Sequence, residues 1–292
     1  MTHSPGTVAK AMTFKEGQHM KTFFINGACG GVGSATVKVF HQAGYQIWAS
    51  DVNQAALAAL SQQYPNIKTS CIDVNDKQQL RTLCDEIAAS PQLDVAHVNA
   101  GVVRPNQVTD STAQDIDLQL DINLRSTLHI NRALAIKMKA QKSGHIVNTV
   151  SMGALISLPG SAVYCATKAA LRSFLTAMQA ELKPFGVSVS GIYPSGIHTP
   201  MLQYEALNQG SPLNFLNMPV SAEKVASTVL KSAEKGWGGK QLEYYLPYSD
   251  SISSRIVNAF PWLLQKIYPL FRYLGEKGRA KYIRKFNVTA TR

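Results

Sequence analysis

Ser151, Tyr164 and Lys168 fall within one short stretch, SMGALISLPGSAVYCATK, and their types suit proton exchange with a carbon-bound oxygen. Side chains four residues apart share one face of a helix, so Tyr164 and Lys168 point into one site. A phenol titrates near pH ~10, too weakly acidic to act as a base at neutrality. An ammonium beside it favours the phenolate and lowers that value. A serine hydroxyl opposite holds a carbonyl or alcohol oxygen within reach of the phenol. Such a trio needs a hydride partner to complete a redox reaction. Alone, Tyr-x-x-x-Lys describes an amphipathic helix with an interfacial tyrosine just as well, so what lies upstream decides.

Upstream, KTFFING (21–27) has the form of a buried strand, GACGGVG follows, and the apolar positions Val37, Phe40 and Ala43 suit a helix closing at Gly44. Strand, glycine-rich turn and helix together make a phosphate cradle, with free amides at the helix N-terminus facing a pyrophosphate. The spacing of Gly27, Gly31 and Gly33 differs from the common G-x-G-x-x-G, and the glycines alone would equally serve a tight structural turn. A second strand, YQIWASD (45–51), ends in Asp51. A carboxylate there accepts hydrogen bonds from an adenosine ribose diol and repels a 2′-phosphate, and neither Val52 nor Asn53 offers a cation. The expectation is NAD(H) in preference to NADP(H). Asp51 or Asn53 also suits the N-cap of a helix over 53–63.

Further strands are expected over 66–74 ending at Asp73, 93–101 ending in Asn99-Ala100-Gly101, 145–151, 187–194 and 240–247. Helices are expected around QQLRTLCDEI, over 115–140 with Asn123, and over 161–183. Alternation of this kind predicts an α/β fold: a single Rossmann-type doubly wound, mainly parallel seven-stranded sheet with helices on both faces. Ligands gather at the carboxyl ends of such strands, where Gly27, Asp51, Asp73, Asn99, Ser151 and Pro194 all fall.

The 292 residues suffice for one large domain, and 45% hydrophobic with 16% charged residues describes a soluble globular chain. The four cysteines form no C-x-x-C pair, which points to a reducing, cytoplasmic setting. No apolar run is long enough for a membrane span, and residues 1–19 lack a leader's apolar core and are expected to be a flexible segment. The Rossmann-type domain is expected over 20–250, with a helical extension over 251–292. That extension holds nine Lys/Arg and one acid, so most of the net charge of +11 belongs to it and no nucleic-acid role is implied. The seven histidines show no ligand spacing, and no metal is expected; His198 is read as a loop surface residue.

In order and spacing, from about residue 20 to 247, these motifs resemble the short-chain dehydrogenase/reductase family. Asn26 to Gly33 resembles its cofactor turn, with Asn26 where threonine is usual. Asp51 resembles the ribose ligand of NAD-preferring members, Asp73-Val74 the pair beside the adenine, and Asn99-Ala100-Gly101 the motif that steadies the central sheet. Asn123, Ser151, Tyr164 and Lys168 match the catalytic tetrad, and Pro194 to Thr199 the nicotinamide loop, with Ser195 where glycine is common. The resemblance implies cofactor contacts at Gly27, Gly31, Val32, Gly33, Asp51, Asp73, Val74, Asn99, Ala100, Gly101, Tyr164, Lys168, Pro194, Ile197 and Thr199. It further implies that Tyr164 exchanges the proton, Ser151 holds the substrate oxygen, Lys168 lowers the tyrosine pKa and binds the nicotinamide ribose, and Asn123 holds a relay water. Homo-oligomers pairing the helices 115–140 and 161–183 are expected on the same ground.

After Thr199, the apolar segment PMLQYEALNQGSPLNFLNMPVS is read as a lid over 200–220, with Met201 and Leu202 joining Ser151, Met152 and Tyr164 as substrate contacts. An apolar pocket suits a lipophilic alcohol or ketone, although lid residues also pack on the protein itself. In the extension, apolar residues recur at three- and four-residue steps among basic ones, and Pro261 and Pro269 each suit the first turn of a short helix. This composition fits peripheral contact with a membrane surface, cover for the chain's own pocket, or a subunit interface. An NAD(H)-dependent alcohol dehydrogenase or ketone reductase leads, beside an NADPH-dependent carbonyl reductase and a non-catalytic dinucleotide-binding scaffold or sensor.

Overall fold

A computed structural model of the chain describes residues 20–234 and 242–289. The segment 1–19 expected to be flexible, with His3 and His19, lies outside them, as do residues 240 and 241 of the expected seventh strand. Along the chain, β1 (Thr22–Asn26) leads into α1 (Gly31–Gln42), β2 (Gln46–Asp51) into α2 (Gln54–Gln63), and β3 (Lys68–Cys71) into α3 (Lys77–Ala89). After β4 (Val95–Val98) come α4 (Ala113–Leu120) and α5 (Thr127–Gln141), and β5 (Gly144–Thr149) precedes α6 (Ala162–Leu182). β6 (Val187–Pro194) is followed by α7 (Pro200–Leu207) and α8 (Ala222–Glu234), then β7 (Glu243–Leu246), α9 (Tyr248–Ala259) and α10 (Trp262–Phe286).

The seven strands form one sheet, β3-β2-β1-β4-β5-β6-β7, and every neighbouring pair is parallel. Strand side chains alternate between two cores. Phe24, Trp48, Ala96, Ile146 and Val189 pack with Leu83, Leu134 and Leu175 of α3, α5 and α6. Phe23, Ile25, Ile47, Val147 and Ile192 pack with Val37, Leu57 and Val225 of α1, α2 and α8. Phe23 stacks on Phe40 with ring centroids 3.7 Å apart. Burying such a side chain stabilises by roughly 1.5–3 kcal/mol, and β1 contributes three of them. Sequence order reverses between β1 and β4, which opens a crevice at the carboxyl ends of those strands.

Two elements differ from expectation. β3 covers only 68–71 of the expected 66–74, because it is an edge strand of polar sequence and is largely exposed. The expected helix over 115–140 is instead α4 and α5 joined by a π-helical turn, Asp121–Ser126. That widened turn contains Asn123, whose buried amide accepts from Val102 N and donates to Val102 O, both at 2.8 Å. An inserted π turn lets a side chain leave the helical register to reach such a partner.

In the extension, Pro261 caps α10 as its position suggests, but Pro269 lies inside α10 rather than opening a third helix. The proline leaves the Gln265 carbonyl without its helical donor. What holds α10 in place is contact along its far half. A Cβ at Gly275 would lie 2.2 Å from Pro212 O, and one at Gly278 would lie 1.9 Å from Phe215 O. Only glycine allows this helix so close to the turn Pro212–Phe215.

Candidate active site

Ser151 directly follows β5 and delivers its hydroxyl to the crevice, where Oγ accepts from Gly153 N at 3.0 Å and meets the Tyr164 phenol. Tyr164 stands in the first turn of α6, and Lys168 one turn later on the same face. The Lys168 ammonium donates to Thr149 O at 2.9 Å and lies 5.7 Å from the Tyr164 ring centroid. Gly101 separates it from Asn123: a Cβ there would be 3.3 Å from Asn123 Oδ1 and 3.7 Å from Lys168 Nζ. The four expected residues therefore converge on one point. The Asn123 side chain is held by the Val102 backbone and so fixes the 101–103 segment.

The charges differ from expectation in one respect. Burial pushes the Tyr164 phenol above its ordinary value, further than the Ser151 hydrogen bond pulls it down. Burial also pushes Lys168 down to about 8. Burial is the largest influence on the phenol, and the Lys168 ammonium is turned towards Thr149 O. At neutral pH the phenol carries its proton.

At the other side of the crevice, Gly27 takes a left-handed backbone and runs against Ala100; a Cβ there would meet Ala100 Cα at 2.8 Å. A Cβ at Gly33 would lie 2.0 Å from Gly27 O. α1 starts at Gly30 with no side-chain cap and no acid in its first turn, which leaves its first amides free for an anion. The Asp51 carboxylate accepts from Cys29 N at 2.9 Å and from Asn53 N at 3.0 Å, and so ties the turn to the end of β2. Asn53, not Asp51, caps α2 by accepting from Ala56 N. Asn99 bridges three strands: its N donates to Asn26 Oδ1, its Nδ2 to Gly27 O, and its Oδ1 accepts from Thr149 Oγ1. This cradle fits a dinucleotide, with amides for the pyrophosphate and a carboxylate for a ribose.

One cavity of about 800 Å³ joins these parts. Gly27, Gly31, Val32, Asp51, Asp73, Val74, Asn99, Ala100, Gly101, Pro194, Ile197 and Thr199 line it towards the cradle. Ser151, Met152, Tyr164 and Lys168 stand at its middle, and Met201 and Leu202 line the far end. Gly33 is absent from the wall and acts through the turn's shape.

The sequence model described as short chain dehydrogenase matches residues 21–210. Rat dehydrogenase/reductase SDR family member 6 is 31% identical over 205 residues, which span 70% of this chain and 82% of that protein. The chain belongs to the short-chain dehydrogenase/reductase family. It is similar, at 31% identity, to the 3-oxoacyl-acyl-carrier-protein reductase FabG of Rickettsia felis, over 72% of this chain and 87% of that one. Cyclopentanol dehydrogenase of Comamonas is also 31% identical, over 63% and 75% of the two chains. Among solved structures, ElxO with NADP bound superposes with a TM-score of 0.70 at 20% identity, covering 78% of this chain and 96% of its own. Levodione reductase gives 0.69 at 22%, over 80% and 97%. As a short-chain dehydrogenase/reductase, the chain is an oxidoreductase of CH–OH and carbonyl groups that uses NAD(P).

Several site residues of this short-chain dehydrogenase/reductase escape its motifs. Thr149 holds Lys168 through its carbonyl, while its hydroxyl joins Asn99 to the buried His97. Glu205 of α7 is a buried carboxylate in the cavity wall. Val257 of α9 and Leu263, Ile267 and Phe271 of α10 close the far end, so the extension covers the chain's own pocket. His198 is not a free loop residue: it stacks on Phe286 at 4.0 Å, and its Nδ1 meets the Tyr282 hydroxyl at 3.0 Å, anchoring α10 to the loop that follows β6. The pairing of Gly275 with Gly278 on one helix face was the available signal for that docking.

Proposed function

We propose that this oxidoreductase interconverts a lipophilic secondary alcohol and its ketone with NAD(H), using Tyr164 as acid and base. The observation that carries this is the continuity of one cavity from the Asp51 cradle, past Ser151, Tyr164 and Lys168, to an apolar chamber walled by α7, α9 and α10. When bound, the nicotinamide supplies or accepts the hydride. Ser151 orients the substrate oxygen, and Tyr164 donates its proton to that oxygen in reduction and takes it back in oxidation. Lys168, held on Thr149 O, would steady the ribose side of the site, and Ile197 and Thr199, which line the cavity, would hold the carboxamide. NAD is favoured because Asp51 stands at the ribose position, and among the described residues no Lys or Arg lines the cradle end of the cavity to offset a 2′-phosphate.

Two partner readings accompany this. The outer faces of α9 and α10 expose Ile252, Phe260, Trp262, Leu270, Tyr273 and Leu274. Lys266 lies over Trp262 and Lys277 over Tyr273. Such a face supports peripheral contact with an anionic lipid surface, from which an apolar substrate would enter. No helix among the described residues is long and apolar enough to cross a membrane. A groove lined by Leu120, Leu124, Leu128 and Phe174, between α4–α5 and α6, supports pairing with a second copy.

Purified protein is expected to oxidise NADH with decan-2-one, and Tyr164→Phe to lose roughly a hundredfold to ten-thousandfold of that rate while still binding NADH. Equal rates in the two proteins would contradict the role given to Tyr164.

A further inference from the structure

Glu205 is unusual in its surroundings. It is 7% exposed, on α7, in a cavity wall shared with the apolar Met201, Leu202, Leu213 and Leu216 and the polar Asn214 and Asn217. Taking a carboxylate out of water is costly unless its oxygens are met by donors. One oxygen is met: Asn214 Nδ2 donates to Oε2 at 2.7 Å. No donor among the described residues meets Oε1, and the side chain faces the cavity. Arg279 of α10 does not complete the pair. Its terminal nitrogens are held by Gly210 O and by Glu276 Oε2, the latter at 3.2 Å, its buried Nε has no partner among the described residues, and it acts on Glu205 through its charge. Burial accordingly pushes the Glu205 carboxyl up to about 7, opposed by Asn214 and Arg279. The group is near enough to the reacting phenol that its charge raises the Tyr164 pKa.

We infer that Glu205 is a specificity-determining residue whose Oε1 accepts a hydrogen bond from a second hydroxyl of the substrate. The inference rests on the proposed alcohol–ketone reaction and narrows its substrate to lipophilic hydroxyketones and the matching diols. Asn214 holds one carboxylate oxygen, which leaves Oε1 for a ligand in a largely apolar chamber. A substrate lacking the hydroxyl leaves that oxygen desolvated and unpaired, which penalises it.

The test compares NADH oxidation with the methyl ketones hexan-2-one through dodecan-2-one against the same ketones hydroxylated at the far end. In the unaltered protein, kcat/KM for the best hydroxyketone should exceed that of its plain counterpart by roughly 10- to 100-fold, mostly through KM. Glu205→Met should bring that ratio close to unity. Glu205→Gln, which keeps an acceptor oxygen, should restore part of it, and it also serves if the methionine variant does not fold. A purely structural Glu205 would alter both ketone series alike and leave the ratio unchanged, which would overturn the inference. Turnover of plain ketones without preference for hydroxylated ones overturns it too, and leaves the oxidoreductase reading standing. No NADH oxidation with either series removes the lipophilic-ketone reading itself.

Discussion

At the nucleotide end of the cavity, the walls are strand ends and main chain. Asn26 sits in register with Ser50 on one side and Val98 on the other, so the turn after β1, Asp51 at the end of β2 and Asn99 after β4 are placed by the sheet itself. At the substrate end, α7, the turn Pro212–Phe215, α9 and α10 meet through side chains and two glycines, with no strand of their own. The first end cannot change its path without breaking ladder hydrogen bonds. The second can be resized by substitution while the nucleotide site persists. The proposed chemistry stands between them, on Ser151 and Tyr164.

The same kind of substitution at each end separates the two most sharply. In Gly33→Ala the new Cβ meets Gly27 O at 2.0 Å, backbone against backbone, and neither can yield. This variant should lose at least about 2 kcal/mol of stability in urea denaturation and bind no NADH by calorimetry. In Gly278→Ala the clash is with Phe215 O at 1.9 Å, and α10 can withdraw. Its NADH affinity should hold while KM for decan-2-one rises. Equal loss of NADH binding in both variants would mean that the two ends are not separable.

The middle of the cavity responds to pH. Because burial keeps the Tyr164 phenol protonated at neutrality, oxidation of decan-2-ol needs a form that grows with pH. Initial rates should climb by about tenfold per pH unit near neutrality. They should go on climbing beyond pH 8, because burial holds the phenol above its ordinary value near ~10. A rate independent of pH from 6 to 8 would show that the phenol is already ionised. At the nucleotide end, Asp51→Ala should lower the ratio of NADH to NADPH affinity by about tenfold, and an unchanged ratio would remove the carboxylate from that role.

The smallest effect belongs to the sheet beneath both ends. Burial pushes His97 down to about 3 and His145 down to about 4, so both are neutral in the fold while the unfolded chain takes up protons below about 6.5. Their contribution is complete above about 6.5 and is lost as pH falls towards those values. Urea denaturation should show a loss of about 1 kcal/mol between pH 7 and 6, and no loss would mean that both rings accept protons in place.

How far the sequence exposes each end follows from how each is built. Gly27, Asp51, Asn99 and Tyr164 were legible because strand-end geometry and helical spacing are local, and a local rule fixes where each side chain goes. The edge strand was over-extended because polar 66–74 has no apolar alternation to mark its ends. The π turn at Asn123 depends on Val102, which lies 21 residues earlier, and no helical pattern announces it. The docking of α10 depends on Gly278 meeting Phe215 and His198 meeting Tyr282, contacts between segments far apart in the chain. Glu205 carried a faint signal as the single acid of PMLQYEAL, but whether it faces solvent or a pocket is settled only by packing.

The most direct test of the central claim is calorimetric titration of the full chain with NADH and with NADPH under identical buffer and salt. NADH binding one-to-one and more tightly than NADPH is the predicted result. Binding of neither nucleotide would contradict the dinucleotide site, and tighter NADPH binding would contradict the role assigned to Asp51.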